Sequence, residues 1–146
     1  MFKDYYQILG VSFGSSKEKI KQAYRRMSLK WHPDRNPSVD VTEIMQDINE
    51  AYKILNDDDS RRRYDKEYQR FYQQKKECFD VCAESNSSSW TYDYDIHDET
   101  LREDINTARA YAKDLVDEFL KSLKKTSKVE AKGAWEGAYG YILAGI

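Results

Sequence analysis

The chain has two histidines, and one of them stands two residues before a carboxylate, in the order His32, Pro33, Asp34. Proline fixes the backbone between the imidazole and the carboxylate and donates no amide hydrogen bond. Neither side chain is needed for a core at such a loop, which favours a functional role. No nucleophile elbow or cysteine-protease pattern accompanies them, so we predict no catalytic residues and a protein that is not an enzyme. A small hydrolase using His32 and Asp34 is the enzymatic alternative.

The cysteines are the other candidates for site chemistry. Cys78 and Cys82 are four residues apart and could share a metal ion on a helix, but no nearby histidine pair completes a ligand set. We therefore interpret them as packing residues and predict neither a metal nor a cofactor. His97 lies in an acidic stretch and is typical of a solvated loop.

Composition bounds the class of protein. The chain has 146 residues, 40% hydrophobic and 34% charged, with a mean hydropathy of −0.91, which predicts one domain or a small domain with an appendage. Two prolines and six glycines favour an all-α fold. A net charge of −2 argues against nucleic acid as a partner. The start of the chain resembles no signal peptide, so we expect a cytoplasmic location.

The elements that position the His32 loop follow from hydrophobic spacing. Tyr5 to Leu9 predicts a short helix closed by Gly10. Apolar residues at three- and four-residue steps predict one helix from Ser16 to the loop and a second from Val41 to Leu55. These would form an antiparallel hairpin. A third apolar series, from Tyr64 to Cys82, predicts a helix that reaches about residue 84.

The first helix of this hairpin has a basic face in an acidic chain. It carries six cations and one acid. An isolated charged run is usually a solvated surface, and only the surrounding residues favour a partner-binding role. The cations are Lys17, Lys19, Lys21, Arg25, Arg26 and Lys30.

Taken together, these segments resemble the J-domain family in order and spacing over about residues 4 to 66. The motifs are Asp4-Tyr5-Tyr6-Gln7-Ile8-Leu9-Gly10-Val11, Ile20-Lys21-Gln22-Ala23-Tyr24-Arg25-Arg26, Lys30-Trp31-His32-Pro33-Asp34-Arg35-Asn36-Pro37, Ile48-Asn49-Glu50-Ala51-Tyr52-Lys53-Ile54-Leu55-Asn56-Asp57 and Arg63-Tyr64-Asp65.

The resemblance implies a J-domain helical hairpin with flanking short helices and a co-chaperone role. Such a protein recruits a DnaK-type chaperone of the seventy-kilodalton heat-shock class and stimulates its ATP hydrolysis, delivering a client that the sequence does not name. By the same likeness, Asp34 would engage an arginine of the partner. The partner-binding residues implied are His32, Pro33, Asp34, Lys21, Tyr24, Arg25, Arg26, Arg35 and Asn36.

The sequence departs from the family pattern at three places. The loop after Pro37 is about one residue short, and Met45 stands where phenylalanine is common. Residues 59–63 replace the usual glutamine-lysine-arginine-alanine-alanine stretch. The glycine/phenylalanine-rich region, zinc-binding repeats and β-rich domains of full-length DnaJ are missing from this sequence.

We predict a J domain at 1–68, an extension of its last helix at 69–85, an acidic and serine-rich linker at 86–99 and a helical region at 100–146. A capping box at Thr100 to Glu103 should start the last helix. Its coiled-coil-like seam should pack on the Tyr64 to Cys82 series or on a second copy of the chain; a client-binding groove is the alternative. The seam residues are Leu101, Ile105, Ala108, Ala112, Leu115 and Phe119.

The end of the sequence, residues 133–146, is apolar and has glycine or alanine at helical spacing, a pattern that favours close helix packing. Fourteen helical residues reach only about 21 Å, too short to span a bilayer of roughly 30 Å alone. The segment therefore predicts either membrane association or packing inside the protein. The first choice gives an alternative function, a membrane-anchored or assembly adaptor that serves one fixed client at the cytoplasmic face of a membrane.

Overall fold

The structure, a computed structural model, describes residues 2–79, 91–92 and 95–126. Helices dominate this part of the chain, which confirms the all-α prediction. Two short strands pair antiparallel, with Phe2 opposite Tyr92 and Lys3 opposite Thr91. The elements are β1 (Phe2–Lys3), α1 (Tyr5–Leu9), α2 (Lys17–Lys30), α3 (Thr42–Asn56), α4 (Asp58–Phe79), β2 (Thr91–Tyr92) and α5 (Glu99–Thr126).

Local capping sets the helix ends. The carboxylate of Asp4 accepts the Gln7 amide at 2.9 Å and so starts α1. Gly10 ends it at φ +69°, in the left-handed region that glycine adopts without strain. The hydroxyl of Ser16 accepts the Lys19 amide at the start of α2, as the sequence predicted. Helix α2 ends at Lys30, and Pro33 follows in the loop.

Helices α2 and α3 form the predicted hairpin. Ile20, Ala23 and Tyr24 of α2 are buried in one core with the inner face of α3, and the rings of Tyr24 and Tyr52 stack with centroids 4.1 Å apart. Helices α1 and α4 complete this core with Leu9 and Tyr64, each fully buried. The hairpin is therefore held by apolar packing between its two helices and against α1 and α4.

Helix α4 begins after Asp57, whose carboxylate accepts the Ser60 amide at 2.9 Å. It is helical through Phe79, in line with the predicted series from Tyr64. The side chain of Cys78, all of Cys82, the serine-rich break and the apolar segment 133–146 lie outside the described residues.

The position of α5 differs from the expectation. It packs mainly on α3 and much less on α4, so α3, rather than the predicted Tyr64 to Cys82 series, is its main partner within the chain. Its start differs as well: α5 begins at Glu99, and the carboxylate of Asp98, rather than the Thr100 side chain, accepts a free amide of the first turn, that of Leu101, at 3.1 Å. The seam also shifts, because Val116 is buried where Leu115 was expected and Leu115 is only half-buried.

A buried acid ties α5 to the hairpin. Glu50 of α3 is 1% exposed, and a carboxylate in such a place must be paired. It accepts hydrogen bonds from Tyr5 at 2.7 Å and Lys3 at 3.2 Å, and both of its oxygens accept from Arg109 of α5 at 3.3 Å. Burial, together with this neighbouring carboxylate, raises the pKa of Tyr5 well above its usual value.

A second polar contact joins α5 to the start of α4. Asp104 of α5 accepts hydrogen bonds from Arg63 at 2.6 Å and from Ser60 at 3.0 Å. Ser60 and Arg63 belong to the stretch 59–63, which departs from the J-domain pattern. That departure therefore lies at the docking site of α5.

Candidate functional site

The loop between α2 and α3 is stabilised by its own polar groups. The side-chain amide of Asn36 donates to the carbonyls of Lys30 at 2.9 Å and His32 at 3.0 Å, which closes the end of α2. The His32 carbonyl also accepts the Arg35 amide at 3.0 Å. Asn36, predicted as a partner contact, thus already shapes the loop from within.

The imidazole of His32 and the carboxylate of Asp34 lie side by side. The Asp34 amide donates to Nδ1 of His32 at 3.2 Å, and the carboxylate is 3.7 Å from the same nitrogen. Since Nδ1 accepts a hydrogen bond, the neutral ring carries its proton on Nε2. Burial lowers the pKa of His32 and Arg35 adds to this effect, while Asp34 opposes it. The ring is therefore biased toward its neutral form.

The two side chains differ in exposure. The Asp34 side chain is 59% exposed, whereas the His32 side chain is 13% exposed. Although the sequence shows no need for His32 in a core, its ring meets the edge of Phe119 from α5, with centroids 5.3 Å apart and planes at 75°. Asp34 and Arg35 remain exposed at the tip.

The basic face belongs to α2, the helix that leads into this tip. Lys21 and Arg25 are exposed, and Arg26, also exposed, donates to the Gly10 carbonyl at 3.5 Å. Tyr24 does not belong to that face: it is 3% exposed and donates to the Asn49 side chain at 2.8 Å. It supports the helix from the core, and its predicted partner contact stays a prediction.

One contributor to the site was not predicted from the sequence. Phe119 was recognised only as a seam residue, yet it lies in a small apolar cluster at the end of the hairpin that carries the His32 loop. An indirect signal in the sequence was Met45, a member of the same cluster, which stands where the family commonly has phenylalanine. The buried members of this cluster are Val41, Met45, Val116 and Phe119, with Trp31, Leu120 and Leu123 packed against them.

Other candidate chemistry gains no support. His97 has a 60% exposed side chain, with Nδ1 3.7 Å from the carboxylate of Glu67. Among the described residues, no three histidine, cysteine or acidic side chains gather where they could hold a metal ion. Within the same part of the chain, no helix combines the length and apolar character needed to cross a bilayer.

Comparison with known proteins agrees with this geometry. Residues 4–65 match the family model of the DnaJ domain. The chain contains a J domain. Proteins named Chaperone protein DnaJ are similar over this region: 54% identical over 66 residues in Chlorobium limicola, 53% over 66 in Synechococcus sp. (strain JA-3-3Ab) and 50% over 64 in Geobacillus kaustophilus.

This likeness is confined to the J domain. The matched segments cover 44%, 45% and 44% of this chain and 16%, 17% and 17% of the three relatives, in the same order. The chain thus spans about a sixth of the length of the curated relatives it matches. The region that contains α5 lies outside the J-domain match.

Proposed function

We propose that the chain is a co-chaperone that recruits a DnaK-type heat-shock chaperone through its J domain and stimulates the ATP hydrolysis of that partner. One observation carries this proposal: His32, Pro33 and Asp34 form a hydrogen-bonded tip at the end of α2, and the basic face of the same helix is exposed. The relatives that match this region are named as chaperone proteins. The chain itself would perform no covalent chemistry.

The exposed groups suggest a division of roles. Asp34 and Arg35 would contact the chaperone directly, with His32 and Pro33 fixing the tip. Lys21, Arg25 and Arg26 would attract an acidic surface, since clustered charge of one sign raises association rates more than affinity. In this proposal Asn36 acts by holding the loop closed.

A steady-state ATPase assay with a purified DnaK-type chaperone tests the proposal. The full chain should raise the turnover of the chaperone and show none alone. Asp34→Asn should remove the stimulation, while its unfolding free energy changes by no more than about 0.5 kcal/mol because the side chain is exposed. His32→Gln should also remove it.

His97→Gln is the matched control for His32→Gln, because it makes the same substitution on the other histidine of the chain. It should stimulate like the unsubstituted protein. Full stimulation by both His32→Gln and Asp34→Asn would contradict the co-chaperone assignment.

The proposal extends to delivery of a client in the cytoplasm, with the region after residue 68 supplying the selectivity. A refolding assay that combines the full chain, the chaperone and a denatured protein measures this part. Recovery no greater than with the chaperone alone would remove client delivery and leave the ATPase proposal standing.

A further inference from the structure

The end of α5 lies against the loop that carries the J-domain signature. Val116 and Phe119 join Val41 and Met45 in the apolar cluster beside the loop, and Trp31, the residue before His32, packs on the same cluster. Phe119 is 8% exposed. A segment outside the family match therefore forms part of the wall around a signature residue.

The ring contact is specific in geometry. The planes of His32 and Phe119 meet at 75° with centroids 5.3 Å apart, within the range that aromatic edge contacts prefer. The Phe119 ring lies against one side of the imidazole, and the Asp34 amide donates to its Nδ1. Together these contacts restrict the side-chain torsions of His32. An unsupported histidine would sample other rotamers.

Helix α5 supports this residue without covering the rest of the proposed binding surface. Among the described residues it packs on α3 and α4, and it makes no comparable contact with α2. Lys21 and Arg25 stay exposed on α2, and so does Asp34 at the tip. This pattern fits a support behind the site better than a lid over it.

We propose that Phe119 is a positioning residue, which holds the His32 imidazole in the orientation that the DnaK-type chaperone recognises. The inference rests on the proposed co-chaperone function and deepens it. The functional unit then includes α5 as well as the J domain. If a supported ring is the competent state, losing the support lowers the population of that state and weakens apparent binding in proportion.

Two measurements on the full chain test this. In the ATPase assay, Phe119→Ala should raise the concentration for half-maximal stimulation about 5- to 10-fold, with maximal stimulation recovered at high concentration. In an NMR titration without the chaperone, the pKa of His32 should rise toward its ordinary value as its burial is lost. The charged groups beside the ring, Asp34 and Arg35, are unchanged, and the cluster residues from α3 and α5 are apolar.

Ile105→Ala is the control. It also removes a buried apolar side chain of α5, but 14 residues away, about 21 Å along the helix. It should leave both the half-maximal concentration and the His32 titration unchanged. Phe119→Leu keeps apolar volume without the aromatic edge and should give intermediate values for both.

Three results would overturn the inference. Equal shifts for Phe119→Ala and Ile105→Ala would mean that Phe119 only holds the helix in place. An unchanged His32 titration in Phe119→Ala would mean that the ring contact does not affect the imidazole. Stronger stimulation by that variant would mean that α5 obstructs the site instead of supporting it. A failure of the co-chaperone function itself is distinguishable from these results. In that case the ATPase assay would show the same lack of stimulation for the unsubstituted chain and for His32→Gln, whereas the His32 titration needs no chaperone and would still report on the ring contact.

Discussion

The outer faces of the two hairpin helices have different surroundings. Helix α2 turns cations such as Lys21 and Arg25 to solvent, whereas α3 is buried on its second face by α5, which reaches Glu50 and Met45. The exposed face fits a transient, charge-steered partner, and the covered face fits a permanent partner within the same chain. Helix α5 therefore covers the α3 side of the hairpin and leaves the basic face of α2 accessible.

Disrupting the packing of α5 on α3 should produce the largest change in stability. Val116→Asp places a carboxylate in the buried cluster, where charge is costly, and should lower the unfolding free energy by about 2–4 kcal/mol. Leu115→Asp makes the same change one residue earlier on a half-buried side chain and should cost less than about 1.5 kcal/mol. Urea denaturation of both variants measures the difference, and equal losses would contradict the observed docking of α5.

Charge on the exposed side should affect association rather than folding. Arg25→Glu should slow association with the chaperone about tenfold at low salt, equivalent to about 1.4 kcal/mol, and the deficit should shrink as salt screens the charges. Lys66→Glu, an equal reversal at an exposed position of α4, is the matched control. Stopped-flow binding at two salt concentrations checks this; similar rates for both variants would leave the basic face a solvated surface.

The smallest effect is expected at His32, where the exposed side of the hairpin meets the side covered by α5. The pKa of His32 lies below its ordinary 6.5 because of burial, so the unfolded chain takes up this proton first as pH falls. The contribution of the neutral ring to stability is complete above about pH 6.5 and is lost as pH falls through the folded-state pKa.

His32→Gln should therefore lose stability less steeply than the unsubstituted protein between about pH 7.5 and about pH 5.5, where carboxylates stay ionised. Urea denaturation at the two pH values measures the slope. An identical slope for the two proteins would mean that burial of His32 has no energetic consequence for folding.

Local patterns predicted the hairpin but not the docking of α5. Capping by Ser16 and the apolar spacing of α2 and α3 are properties of neighbouring residues, and both appear in the structure. The buried residues of α3 include Asn49 and Glu50, which look like surface residues until their partners are known. Burial of Glu50 depends on Lys3, Tyr5 and Arg109, three residues that no local period connects to it.

The seam of α5 shows a second limit. Leu101, Ile105, Ala108 and Ala112 are buried as predicted, and then Val116 replaces Leu115. A 3.5-residue repeat drifts against the 3.6 residues of a straight helix, so the buried stripe moves by one position after a few turns. Both candidates are apolar, and composition alone does not choose between them. Phe119 is buried at its predicted seam position, but the repeat does not show that this position faces His32.

The pairing of Glu50 also bears on the order of folding during synthesis. Arg109 follows Glu50 by 59 residues, which a ribosome adds in roughly 3–12 seconds at about 5–20 residues per second. Lys3 and Tyr5 precede Glu50 and are already made when it emerges. The nascent hairpin can therefore pair this acid with a cation and a hydroxyl before α5 exists. Lys3 is shared with the carboxylate of Asp47 at 2.7 Å, so the later arrival of Arg109 supplies the second cation that balances the two acids.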